Sequence, residues 1–234
     1  NALTENPACH RIDYERCTGC RKCVEVCNYK ALVRYGSEMS AREVFDVVRR
    51  DKMFYDNSGG GVTVSGGEPL LLPAFVKELF KLCKDGGINT CMETCGYAPE
   101  QNLLDILPLT DHLLFDLKHM NPELHQKYTG KSNDVILRNA ALAAEKDADI
   151  TFRIPLIPGV NDDEKNIKAT SEFVLRLPGQ HSIQLMPYHR LGESKYKALN
   201  QPILTQGMTV MTQDQLEEVK QRYIDCGVYC TISK

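Results

Sequence analysis

Gly61-Val62-Thr63-Val64-Ser65-Gly66-Gly67-Glu68-Pro69 is a short apolar run that breaks into two glycines, an acid and a proline. β-Branched side chains suit a pleated strand, and the Gly-Gly-x-Pro sequence ends one abruptly. The same figure recurs downstream. Strand readings fall at Gly61–Ser65, Ile88–Glu93, His112–Leu117, Ile150–Pro155, Ser182–Met186 and Val228–Ile232. Between them lie amphipathic stretches with helix signals. Ser40 with Glu43 and Thr212 with Gln215 are capping boxes. Pro73 opens a helix that sets Phe75, Val76, Leu79, Phe80 and Cys83 on one face, and Asp85-Gly86-Gly87 stops it. Residues 135–146 and 164–177 are two more helical periods. Strands alternating with helices at this spacing predict parallel βαβ units, as an open doubly wound sheet or a barrel. No Gly-x-Gly-x-x-Gly follows the first strand, which disfavours the dinucleotide-binding version.

The 234 residues suffice for one large domain with a small appendage, and 42 % apolar with 25 % charged residues is the balance of a water-soluble globule. A net charge of −3 argues against nucleic acid as the main partner. No apolar stretch reaches membrane-spanning length and no signal peptide is evident, so the cytoplasm is the expected compartment. Disulfides are rare there, so ten cysteines point to metal or catalysis first.

Five of the ten lie in residues 1–36, a polar stretch with little core-forming pattern that needs a metal to hold it; the larger domain is expected over 37–234. Cys17, Cys20, Cys23 and Cys27 follow C-x2-C-x2-C-x3-C. Three thiolates at two-residue gaps wrap one face of an iron–sulfur cluster, and the fourth serves a neighbouring one in two-cluster ferredoxins. Zinc sites more often use two separated pairs. Asn28 replaces the proline that usually follows such a run. Cys9 reads as a stray thiol or an extra ligand, Cys83, Cys226 and Cys230 as core, and the Cys91/Cys95 spacing as coincidence.

The polar and glycine-rich residues of the larger region sit at strand ends, where parallel α/β folds bind ligands. Each has a structural reading. Gly66-Gly67 serves as a tight turn, Asp116 and Lys118 as an ion pair, and Arg153 and His189 as satisfied residues. Together they have a chemical reading. Two glycines let backbone carbonyls approach an ammonium, Lys118 and Arg153 hold a carboxylate, Glu93 and Asp116 hold a small cation, and His189 meets a flat ring. That set describes an amino acid joined to a nucleoside.

Gly66-Gly67-Glu68-Pro69 resembles the motif of radical S-adenosylmethionine (SAM) enzymes. The run 58–69, Glu93-Thr94-Cys95-Gly96-Tyr97, Asp116-Leu117-Lys118-His119-Met120, the 154–161 segment and Pro187-Tyr188-His189-Arg190-Leu191-Gly192 are similar, in order, to activating enzymes of glycyl radical enzymes. The match covers residues 12–234 and is best with relatives that carry a ferredoxin-like insert. The resemblance implies a partial (β/α)6 barrel of TIM type, its first strand missing here, with a ferredoxin-like iron–sulfur segment. It implies SAM held by Gly66, Gly67, Glu68, Asp116, Leu117, Lys118, Arg153 and His189. It implies a monovalent cation on Glu93, Thr94, the Leu114 carbonyl and Asp116, Glu93 standing where the short activases have Asp. The implied cofactors are 4Fe-4S clusters and SAM. The implied partners are a glycyl radical enzyme and an electron donor such as flavodoxin or ferredoxin.

The Cys-x3-Cys-x2-Cys loop that holds this family's catalytic cluster occurs nowhere in the chain, so no catalytic cysteine is assigned. The expectation is a sequence that starts inside the insert, with its first 30 or so residues departing from a ferredoxin fold and the strands from Gly61 onward intact. Reductive SAM cleavage to make a glycyl radical on a partner is the implied activity. The alternative is a non-catalytic iron–sulfur electron-transfer or binding fragment; an ordinary barrel hydrolase, independent of SAM, is the third class.

Overall fold

The computed structural model describes residue 3, residues 12–198, residue 202 and residues 207–233. Cys9 lies outside the described residues. The elements run α1 (Lys22–Glu25), α2 (Ala41–Val48), α3 (Lys52–Ser58), β1 (Gly61–Val64), α4 (Pro73–Asp85), β2 (Asn89–Thr94), α5 (Glu100–Ile106), β3 (His112–Asp116), α6 (Pro122–Thr129), α7 (Asp134–Glu145), β4 (Ile150–Leu156), α8 (Glu164–Arg176), β5 (Ser182–Pro187), α9 (Glu193–Ala198), α10 (Gln213–Asp225) and β6 (Tyr229–Ile232). The chain forms two compact units. One is Asn1–Glu38 with His189–Met208, the other Met39–Tyr188 with Thr209–Lys234.

In the larger unit six parallel strands pair in chain order, β1 to β6, as a partial barrel, one strand more than a (β/α)6 barrel without its first strand would show. Each expected strand is present, its ends within two residues of the reading. Both capping boxes form: the Ser40 and Thr212 hydroxyls accept from the N–H of Glu43 and Gln215, whose side chains bond back. The helix at Pro73 runs to Asp85 and buries Val76, Leu79, Phe80 and Cys83.

Strand alternation separates two environments. On one face Met92, Leu113, Phe115, Ile150, Phe152, Ile154, Ile183 and Leu185 join Phe80, Leu103, Ile106, Ala140, Ile167, Val174, Leu216 and Tyr223 of the helices in one core. Phe115 and Phe152 meet edge to face with centroids 6.0 Å apart. The opposite face carries partly exposed residues: Cys91, Glu93, Leu114, Asp116, Thr151, Arg153, Ser182, Gln184 and Thr231. The register sets Glu93 beside Leu114 and Thr151 beside Ser182; one row further, Asp116, Arg153, Gln184 and Thr231 stand side by side. The inner wall is therefore largely polar and open, unlike the packed interior of a closed barrel.

Cys83 and Cys230 are buried and Cys226 packs against the core, as expected. Burial pushes the Cys230 thiol up to about 12. Among the described residues no helix is long and apolar enough to cross a membrane.

Candidate SAM site at the strand ends

After β1 the chain turns through Gly66, whose φ of +124° only glycine adopts without strain. A Cβ built on Gly66 or Gly67 meets nothing within 4 Å, so both backbones face open space. Glu68 then ends the turn. Its side chain accepts from the N–H of Leu70 at 3.1 Å, the Thr94 hydroxyl at 2.5 Å and the N–H of Cys95 at 2.9 Å. A carboxylate occupied by three donors fixes the glycine pair to the end of β2.

The turn after β2 is built as tightly. A Cβ on Gly96 would lie 2.2 Å from Cζ of Phe115. The buried Asn139 donates to the carbonyls of Gly96 at 2.7 Å and Ala98 at 2.9 Å. Burial, then a hydrogen bond to Glu68, pushes the Cys95 thiol up to about 11, and burial raises Cys91 as well. Both favour the neutral thiol, as a coincidental C-x3-C pair should.

Asp116 and Arg153 are register partners on β3 and β4. Lys118 lies 3.8 Å from Asp116, and Nη1 of Arg153 lies 2.6 Å from Oε1 of Glu93, across the intervening strand. Nη2 of Arg153 donates to the Met186 sulfur at 2.9 Å, while its Nε is buried with no partner. Burial pushes the Asp116 carboxyl up to about 6, opposed by Lys118 and reinforced by Glu93. Leu117 is buried and anchors the strand end, its N–H on the Arg153 carbonyl at 2.8 Å.

Buried asparagines that the sequence reading missed hold these loops. Asn161 donates to the carbonyls of Lys118 and Pro155, both at 2.9 Å, and accepts from Ile157 at 2.8 Å. Asn166 accepts from the N–H of Met120 at 2.9 Å, and Asn133 donates to the carbonyls of His119 and Met120. The available signal was an amide on the apolar face of a helix, as for Asn139 among the alanines of α7. Two cavities flank the strand ends. One, of about 860 Å³, borders Glu68, Cys95 and Tyr97; the other, of about 370 Å³, borders Lys118, His119 and Asn161.

Gly66, Gly67, Glu68, Glu93, Thr94, Leu114, Asp116, Leu117, Lys118 and Arg153 thus all lie on the strands of one unit or the turns that follow them. His189 and the four cysteines belong to the smaller unit. There, left-handed Gly19 and Arg21 lead into the single turn of α1. The Lys22 N–H, then the Thr18 hydroxyl, pull the Cys20 thiol down, and Cys27 accepts the N–H of Ala31 at 3.2 Å. N–H donors on sulfur fit thiolates that bind iron. Among the described residues no three His, Cys, Asp or Glu side chains are gathered as a site for a metal ion.

The radical SAM superfamily profile matches residues 14–169, about two thirds of the chain. The chain belongs to the radical SAM superfamily. It is 41 % identical over 226 residues to the (2S)-3-sulfopropanediol dehydratase activating enzyme of Klebsiella oxytoca, covering 94 % of this chain and 71 % of that protein. It is 36 % identical to the trans-4-hydroxy-L-proline dehydratase activating enzyme of Clostridioides difficile, covering 89 % and 80 % respectively. A crystal structure of a domain of pyruvate-formate lyase-activating enzyme from Bacteroides vulgatus ATCC 8482 superposes with a TM-score of 0.63 at 35 % identity, over 75 % of this chain and 99 % of that one. Within the radical SAM superfamily the chain therefore groups with the activating enzymes of glycyl radical enzymes.

Proposed function

We propose that this radical SAM chain binds SAM at these strand ends and acts as an activating enzyme that makes a glycyl radical on a cytoplasmic partner enzyme. The observation that carries the reading is the open Gly66–Gly67 backbone, set by Glu68 at strand ends that also present Lys118, Asp116 and Arg153. The glycine backbone receives the methionyl ammonium of SAM. Lys118 and Arg153 place positive charge opposite its carboxylate, and Asp116 and Leu117 form the β3 side of the site. SAM, cleaved reductively at a 4Fe-4S cluster, supplies the radical that takes a hydrogen atom from the partner's glycine. Cys17, Cys20 and Cys23 are assigned to one auxiliary cluster and Cys27 to a second, in a ferredoxin-like segment over 1–36 that relays electrons from a donor such as flavodoxin or ferredoxin or helps dock the partner enzyme. No Cys-x3-Cys-x2-Cys spacing occurs in this sequence, so no cysteine is assigned to the catalytic cluster.

The test is SAM affinity, measured by calorimetry on the reconstituted full-length protein under anaerobic conditions. Lys118→Ala removes a charge-assisted contact of about 1.5–3 kcal/mol, so affinity should fall roughly 10- to 100-fold. Unchanged affinity sinks the site. Under reduction the wild type should release 5′-deoxyadenosine; its absence sinks the activity.

A further inference from the structure

Resemblance places a monovalent cation on Glu93, Thr94, the Leu114 carbonyl and Asp116, and these residues do not fit one. Glu93 and Thr94 are consecutive on β2 and point to opposite faces of the sheet, Glu93 partly exposed and Thr94 buried. The Thr94 hydroxyl gives its proton to Glu68 and accepts the N–H of Gly96 at 2.9 Å. Glu93 reaches across β3 to Arg153 at 2.6 Å, inside the range of a strong charge-assisted hydrogen bond. Arg153 also donates to the Met186 sulfur through Nη2, and its Nε is buried with no partner. Each acid of the set is also already engaged: Glu93 faces Arg153, Asp116 lies 3.8 Å from Lys118, and the neighbouring Glu68 is taken up by three hydrogen-bond donors. An alkali cation beside Glu93 would sit against a like charge at close range in a partly buried site, where repulsion is strong.

We infer that the guanidinium of Arg153 takes the place of the alkali cation in this protein, so that SAM binding here needs neither K⁺ nor Na⁺. Arg153 thus neutralises Glu93 in addition to placing its charge opposite the SAM carboxylate. The inference rests on the proposed SAM site, and one arm of its test does not.

In the first arm, SAM affinity of the reconstituted full-length protein is measured in KCl, NaCl and choline chloride at equal ionic strength. The expected values agree within twofold; tightening of more than twofold by either alkali salt overturns the inference. In the second arm, crystals are soaked in rubidium chloride without SAM and mapped by anomalous scattering. No peak is expected at the Glu93 and Asp116 carboxylates of the wild type, and one is expected in Arg153→Gln. A wild-type peak overturns the inference, and so does its absence from both, since Arg153 would then replace nothing. A protein that binds no SAM in any salt sinks the proposed function, while the rubidium maps still decide this question.

Discussion

The backbone N–H of Cys95 donates to the carboxylate of Glu68 at 2.9 Å, joining positions 27 residues apart in sequence. Through it the turn after β1 and the turn after β2 become one rigid piece. The acid of the Gly-Gly-Glu-Pro motif therefore acts on its own backbone, and the glycines before it present theirs outward.

Replacing Glu68 by alanine leaves three donors without their acceptor, on Leu70, Thr94 and Cys95. A loss of about 2–4 kcal/mol is expected in urea unfolding. A change under 0.5 kcal/mol would show the carboxylate to be idle.

The glycines should divide into two kinds. Gly96→Ala drives a methyl into Phe115 at a φ of +68°, and about 2–4 kcal/mol of stability should go. Gly67→Ala meets open space, so the protein should fold normally while SAM affinity falls. Melting temperature and calorimetry together separate the two outcomes.

Asp116 should make stability depend on pH in the less common direction. Its folded carboxyl is raised to about 6, so its contribution is complete below the unfolded value of about 4 and is lost as pH climbs through 6. Asp116→Asn should thus be more stable than wild type at pH 7.5, by about 3 kcal/mol. That advantage should shrink at pH 5, and a gap constant between pH 5 and 7.5 would contradict the assignment.

Asn139→Ala strands two buried carbonyls, on Gly96 and Ala98. It should cost about 2–3 kcal/mol although the residue touches no proposed ligand atom. Hydrogen exchange should speed up in the 95–99 turn first; uniform acceleration would mean a general loss of packing instead.

Thiol reactivity should follow environment. In the iron-free chain Cys20, exposed and pulled down by the Lys22 N–H, should alkylate with iodoacetamide at pH 7.5 well before Cys95, which is held near 11. Mass spectrometry of timed samples reads the order, and the reverse order would refute it.

Much of the barrel was legible because burial dictates it. Val62, Met92, Leu113, Phe152 and Ile183 lie on strands read from apolar runs, and Ser40 and Thr212 mark helix starts by chemistry that operates within four residues. The Glu93–Arg153 pair was not legible, because it exists only once β2, β3 and β4 are in register. The asparagines escaped for a related reason: Asn161 and Asn139 bond to carbonyls of distant turns, and nothing local announces those partners. In the smaller unit the cysteine spacing was plain. The path of the chain there was not, since so little apolar pattern directs it.

The polar inner wall carries one more consequence. Thr151, Ser182, Gln184 and Thr231 line it with hydroxyls and an amide rather than hydrocarbon, so water wets it before any ligand arrives. A ligand seated there exchanges hydrogen bonds with that water and covers little oily surface. Its binding should carry a small heat-capacity change and an enthalpy nearly constant with temperature, a calorimetric signature opposite to that of a greasy pocket.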